Sequence, residues 1–156
     1  MVDLAEMMSR HARAGRVAWI GVRSERRAAV AEPVRVRVEL DGICGDHGRA
    51  GKRAVTLLQA EHLPVIAALL GREVTAATLR RNLMVSGANL AALRRREVRI
   101  GSAVLFVEGP CPPCSRMEEA LGFGGYSAVR GHGGYYASVV VPGEIALGDA
   151  VGATGA

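Results

Sequence analysis

No apolar run in this chain approaches the roughly 18–20 residues that a helix needs to cross a bilayer, so no membrane association is expected. The first fifteen residues carry Asp3, Glu6, Arg10 and Arg13 without a continuous apolar core, which does not read as a secretory signal. The expected location is therefore cytoplasmic. Cysteine is scarce and odd in number: Cys44, Cys111 and Cys114 exclude a disulfide framework as the source of stability. Lysine is nearly absent, Lys52 being the only one among 20 basic side chains. The arginines occur in short clusters (Arg26-Arg27, Arg80-Arg81, Arg94-Arg95-Arg96) rather than in a tail. A net charge of +5 in that form fits a solvated surface, and no nucleic-acid partner is expected. No serine–histidine–acid signature and no strong carboxylate pair occurs, and the glycine spacings match neither a phosphate loop nor a dinucleotide fingerprint. Hydrolase chemistry is unsupported.

What is present is glycine, 20 of 156 residues, close to twice the usual share and a sign of many turns between short strands. A length of 156 residues suits one domain with a real core. Residues 1–14 read as an N-terminal arm and 15–156 as the domain. Val17–Val22 is rich in β-formers. Val34, Val36, Val38 and Leu40 alternate with Arg35, Arg37 and Glu39, predicting one buried and one wet face. Ala54–Gln59 reads as a strand running into a helix over residues 60–70, where Leu63, Ile66, Ala67 and Leu70 share a face and Gly71 stops the turn. A helical turn is expected over 75–81 and a strand over 82–87. Residues 98–107 read as strand, tight turn, strand, and 144–151 repeat the pattern as a similar corner of a closed sheet. Residues 135–141 complete the set. About seven short strands with two or three short helices point to a mainly β barrel or sandwich.

The chemistry concentrates in Gly109-Pro-Cys-Pro-Pro-Cys-Ser-Arg-Met-Glu-Glu119. The prolines stiffen the approach to Cys114. Ser115 and Glu118 have the spacing of a capping box, which predicts a helix with Ser115 as N-cap. Cys114 would then lie beside free backbone N–H groups and the positive helix end, an environment that favours thiolate, with Arg116 adding charge. Three readings of the C-x-x-C compete. Structural zinc needs four ligands, and only Cys44 and scattered histidines remain. A thioredoxin-like dithiol belongs near a βαβ pattern, whereas these surroundings are β-rich. The third is a single functional thiolate, Cys114, against a background in which both cysteines are merely small buried side chains. His62, near a helix start, reads as satisfied or solvent-facing.

Other groups suit a large anionic ligand. Arg80, Arg81 and Asn82 offer guanidinium forks and an amide. Ser86 and Asn89 follow in a turn, Asp46 and His47 sit in a glycine-rich loop, and Arg130 and His132 lie in a glycine run where backbone can approach a ligand closely.

In that order these segments resemble the MOSC domain, the C-terminal domain of molybdenum cofactor sulfurase, and in particular its small stand-alone bacterial members. The matching stretches are Gly45–His47, Arg53–Leu63, Leu79–Leu83, Ser86–Leu90, Gly109–Glu118 and Arg130–Gly134, within roughly residues 15–151. The resemblance implies a β-barrel with one key cysteine, here Cys114 by its position after the proline. In members related to amidoxime-reducing enzymes that cysteine ligates the molybdenum of a pterin cofactor; in others a sulfur-carrying role has been proposed. Applied to this chain, it implies molybdenum cofactor (molybdopterin) binding with Cys114 as metal ligand and catalytic residue. Arg80, Arg81, Asn82, Asp46, His47, Ser86, Asn89, Arg116, Arg130 and His132 are the candidate cofactor contacts. The larger reducing members carry an additional N-terminal domain and electron-delivery domains, for which this chain has no room. A redox partner is therefore expected for N-hydroxyl reduction, or a cysteine desulfurase for sulfur transfer through a Cys114 persulfide. A non-catalytic binding module with structural cysteines is the remaining alternative.

Overall fold

The computed structural model describes residues 1–48 and 50–154. In chain order the elements are α1 (Leu4–Ser9), β1 (Gly15–Ile20), β2 (Arg35–Glu39), β3 (Gly42–Ile43), β4 (Val55–Gln59), α2 (His62–Leu70), α3 (Ala76–Leu79), β5 (Leu83–Ser86), a 3-10 turn (Leu90–Leu93), β6 (Glu97–Ile100), β7 (Ala103–Pro110), α4 (Ser115–Leu121), α5 (Gly125–Val129), β8 (Tyr135–Val141), β9 (Gly143–Ala146) and β10 (Ala150–Ala153). Seven strands close a barrel in the order β1-β10-β6-β7-β8-β4-β5, and β3-β2-β9 form a separate three-stranded sheet. All pairings are antiparallel except β4 with β5, which are parallel and joined through α2 and α3. The fold is mainly β with a seven-stranded barrel, as expected, and carries five short α-helices beside it.

Two apolar clusters meet back to back. Val17, Ile20, Leu57, Leu83, Val85, Val98, Ile100, Leu105 and Val151 fill the barrel, joined from the small sheet by Val36, Val38 and Ile145. Outside it, Leu58 and Ile66, Leu79, Met117, Leu121 and Val129 from α2 to α5 form a second cluster with Trp19 and Met84. Strand β4 is buried on both sides, Leu57 facing the barrel cluster and Leu58 the helical one. Its sequence, Val55-Thr56-Leu57-Leu58-Gln59, accordingly sets two leucines side by side, one for each cluster, instead of alternating strictly. Helices α2 to α5 are too short to persist alone, so this packing against the barrel holds them.

Some expectations require correction. Val36 and Val38 are buried as the alternation predicts, but Val34 and Leu40 lie beyond the strand and are 70% and 59% exposed. The two glycine corners are not equivalent: β6 and β7 form a hairpin within the barrel, whereas β9 belongs to the small sheet and β10 to the barrel. The glycine run 122–134 contains α5, made possible by Gly124 and Gly125. Gly124 precedes the helix in the left-handed region, and at Gly125 a Cβ would press on the Leu121 side chain and the Met117 carbonyl.

Register carries the motif to the barrel rim. Strand β8 lies between β4 and β7, with Tyr135 opposite Leu57 on one side and Pro110 on the other. The Cys111 amide donates to the Gly134 carbonyl at 2.8 Å, extending the ladder by one bond before the chain turns into Pro112-Pro113. Gly134 has φ +88° and its Cα faces the Leu57 carbonyl oxygen, leaving no space for a side chain. Gly134→Ala should therefore lower the unfolding free energy by about 2–3 kcal/mol, read as a shift of the urea midpoint. A midpoint like that of wild type would mean that this close approach is not required.

Candidate functional site

Around the rim the chain delivers two cysteines to different settings. Cys111, pinned by the Gly134 bond, is half-buried, and burial pushes its thiol pKa up against the opposing pull of Arg81 and Arg53. Cys114 is exposed and free. It occupies the N-cap of α4 in extended conformation, and its carbonyl accepts the Met117 amide at 2.9 Å. The expected cap at Ser115 is displaced by one residue, and the capping box does not form. Instead Glu118 accepts the amides of Tyr126 (2.9 Å) and Gly124 (3.1 Å), tying α4 to α5. Two neutral backbone donors there satisfy the carboxylate better than one reciprocal cap. These bonds, from Tyr126 first, hold the Glu118 carboxyl below its ordinary range.

Arginines gather beside the cysteines. Arg80 ends α3 with φ 59°, and its Nη2 donates to the Ala28 carbonyl at 2.8 Å. Arg81 Nε donates to the Gly133 carbonyl at 2.7 Å, which joins the entry of β5 to the glycine run. Arg23, read from sequence as part of an irregular polar link, proves to belong here. Burial depresses its guanidinium pKa most, and repulsion from Arg80, Arg116 and Arg81 adds to the effect; Asp46 opposes it. Four guanidinium groups thus share one neighbourhood with a single carboxylate acting on Arg23. Asp46 is itself engaged, its Oδ1 accepting the Arg23 amide at 2.9 Å, and His47 lies 3.9 Å from it. Nothing in the pattern around Arg23 marks it, because the ties that hold it here are long-range: this bond and the His47 amide donating to the Arg23 carbonyl at 2.9 Å.

The remaining candidates divide. Asn82 is buried with both ends of its amide bonded: Oδ1 accepts from Thr56 N (3.0 Å) and Oγ1 (3.2 Å), and Nδ2 donates to the Gly21 carbonyl (3.1 Å). It joins β4, β5 and the end of β1 rather than presenting an amide to a ligand. Ser86 ends β5 on the far side from Asn82, opposite Arg16. Asn89 is exposed, with Oδ1 accepting the Ala91 amide, and Arg130 is exposed at the end of α5. His132 is half-buried, and its Nδ1 is buried without a hydrogen-bond partner.

Two clefts open at this end. One of about 420 Å³ is bounded by Arg53, His62, Cys111, Gly133, Tyr135 and Tyr136. Arg53 lies over the Tyr136 ring at 5.0 Å. The other, about 450 Å³, is bounded by Arg13, Gln59, Glu61, His62 and Asn89. His62, set aside on sequence, borders both. Among the described residues no three His, Cys, Asp or Glu side chains converge on a metal position. A metal held here would have to bring most of its own ligands.

A closed barrel with this C-x-x-C rim defines the class, and the family model for the MOSC domain matches residues 44–152. The chain belongs to the MOSC domain family. Among solved structures it is similar to the YUAD protein from Bacillus subtilis, with a TM-score of 0.77 at 19% identity over 89% of this chain and 94% of that one. YiiM from Geobacillus stearothermophilus follows with a TM-score of 0.74 at 19% identity, covering 90% and 75%. YiiM from Escherichia coli gives 0.70 at 18% identity, covering 90% and 70%. No curated protein matches the chain significantly. No helix among the described residues is long and apolar enough to cross a membrane.

Asn82→Ala strands the Thr56 amide and the Gly21 carbonyl and should lower the unfolding free energy by about 2–4 kcal/mol in urea titration. An unchanged midpoint would return Asn82 to the candidate ligand contacts. Glu118 has its folded pKa depressed, so its contribution is complete above the unfolded carboxylate pKa and is lost as pH falls through the folded one. Glu118→Gln should thus lower the denaturation midpoint at pH 7, with the difference from wild type fading below about pH 4.

Proposed function

We propose that this protein binds molybdenum cofactor with Cys114 as the metal ligand and reduces N-hydroxylated compounds with electrons from a partner protein. The observation that carries this reading is the exposed, free Cys114 two residues from Arg116, in the arginine group of Arg23, Arg80 and Arg81. Thiolate sulfur is a soft ligand, and guanidinium forks match the phosphate of a pterin cofactor. The glycine run fits the same group: Gly131 has φ +87° with open space where a side chain would stand, and Gly133 faces the Cys111 carbonyl and Arg81 closely.

In this reading Cys114 contributes its sulfur, Arg80, Arg81 and Arg116 hold the anionic tail, and His132 faces the bound group with Asp46 and His47 fixing Arg23 behind it. Asn89 and Arg130 flank the site, whereas Ser86 stands apart from it at the far end of β5. The cofactor, when bound, supplies a two-electron redox centre. The cleft beside Cys111 receives the substrate between Tyr135, Tyr136 and Arg53, where apolar ring faces exclude water around the reacting group. Three free cysteines suit a reducing, cytoplasmic setting. The positive charge is spent on a compact anion rather than on nucleic acid.

The exposure of Cys114 also favours a second reading, a sulfur carrier loaded by a cysteine desulfurase. A labile gain of about one sulfur on Cys114, seen by mass spectrometry in metal-free protein, would support it.

The test is molybdenum and pterin content after expression in a host that makes the cofactor. Wild type and Cys111→Ala should carry near-stoichiometric molybdenum, and Cys114→Ala should lose most of it. Equal molybdenum in Cys114→Ala would overturn the ligand assignment.

A further inference from the structure

His62 stands where the two clefts meet. On one side it faces the cleft of Cys111, Tyr135 and Tyr136; on the other, the opening bordered by Glu61, Gln59 and Asn89. It is the first residue of α2, which fixes its backbone at the mouth of β4. The ring of His132 meets it edge-on, with centroids 5.0 Å apart and planes at 82°. His132 is in turn anchored by its amide, which donates to the Val129 carbonyl at 2.7 Å.

We propose that His62 is the proton-donating residue of the Cys111 cleft, that His132 positions its ring, and that the Glu61 cleft is the route by which it regains a proton from solvent. The inference rests on the reductase reading above. Reduction of an N-hydroxylated compound breaks the N–O bond, consumes two electrons and two protons, and releases water. The electrons come from the reduced cofactor, recharged by an external low-potential donor. One proton must reach the departing oxygen and another the nitrogen. Cys111 is a poor source because burial holds its thiol proton tightly, and Arg53 and Arg81 do not release theirs. His62 is the remaining titratable side chain on that cleft apart from the tyrosines, and it alone also borders an opening that contains a carboxylate.

The charged surroundings tune this residue. Burial lowers the His62 pKa most, His132 lowers it further, and Glu61 raises it. Arg53 on one cleft and Arg13 on the other complete the charged groups facing it. Glu61 stays ionised: burial pushes its carboxyl up, but bonds from the Gly87 amide (2.9 Å) and Gln59 Nε2 (2.6 Å) outweigh that and leave it below its ordinary value. A histidine with lowered pKa is a stronger acid present in smaller amount at neutral pH. Turnover limited by it therefore rises as pH falls toward that pKa.

Two measurements test this. The first uses metal-free protein: in 13C-edited NMR the His62 ring should titrate below an ordinary histidine, and His132→Gln should move that titration upward. The second uses protein of matched molybdenum content with reduced viologen as electron donor and a hydroxylamine substrate. There His62→Gln should lower kcat by about 10²-fold and abolish its fall at higher pH, and His132→Gln should shift that fall upward. A His62 titration insensitive to His132→Gln, or a fully loaded His62→Gln enzyme with wild-type kcat and pH profile, would overturn the inference while leaving the reductase reading intact. A fully loaded wild type that reduces no hydroxylamine would overturn the reductase reading and the role of His62 with it. In that case the NMR coupling would describe a structural pair only.

Discussion

The parallel pairing of β4 with β5 is the constraint on which the rest of the molecule depends. Parallel strands need a crossover, and here the crossover supplies α2 and α3, the base of the outer helical layer. Burying β4 on both faces couples the barrel interior to that layer, so neither apolar cluster can form fully without the other. The same pairing brings the start of β5, with Arg80 and Arg81, to the rim where β7 leaves and β8 begins. Asn82 makes the junction specific: its amide completes bonds that the twisted strand ends leave open. The candidate site at the rim is thus a by-product of how one parallel pair is accommodated in an otherwise antiparallel barrel.

The electrostatics of the rim run against stability. Four guanidinium groups in one neighbourhood repel, and Arg23 is partly desolvated as well. Charges arranged at a cost to the folded state are a common mark of a site built for an opposite charge. The backbone bonds of Arg80 to Ala28 and Arg81 to Gly133 fix two of these side chains, so they are preorganised rather than swinging freely. Preorganisation lowers the ordering cost of capturing an anion.

Much of the fold was legible because it rests on local patterns. The alternation through Val36 and Val38, the β-branched and leucine side chains of β4 and the glycine between β6 and β7 each state their structure within a few residues. Residues whose role depends on distant partners were harder. Asn82 has the chemistry of a ligand contact, and only its bonds to Thr56 and Gly21, 26 and 61 positions away, show it to be internal. Arg23 gave no local signal because Asp46, 23 positions on, brings it to the rim. His62 carries no local signal because a histidine at a helix start is ordinary; its partner His132 comes from the opposite half of the sequence. The capping box failed for a related reason, since Glu118 found donors in the next helix.

The closure of the barrel carries a consequence for biosynthesis. Strand β1 is held on one side by β10, with Gly15 opposite Val151, so the first barrel strand waits for the last. A ribosome adding roughly 5–20 residues per second takes on the order of ten seconds to travel that distance. Until β10 is made, β1 and β6 each lack the neighbour on one edge, β1 having only β5 and β6 only β7, and the barrel interior is open to water on that seam. The chain must pass through synthesis with an unsealed apolar seam, and topology of this kind folds slowly once complete. Any ligand that bridges the entry of β5 to the exit of β7 would find its two anchors assembled only after translation has passed both.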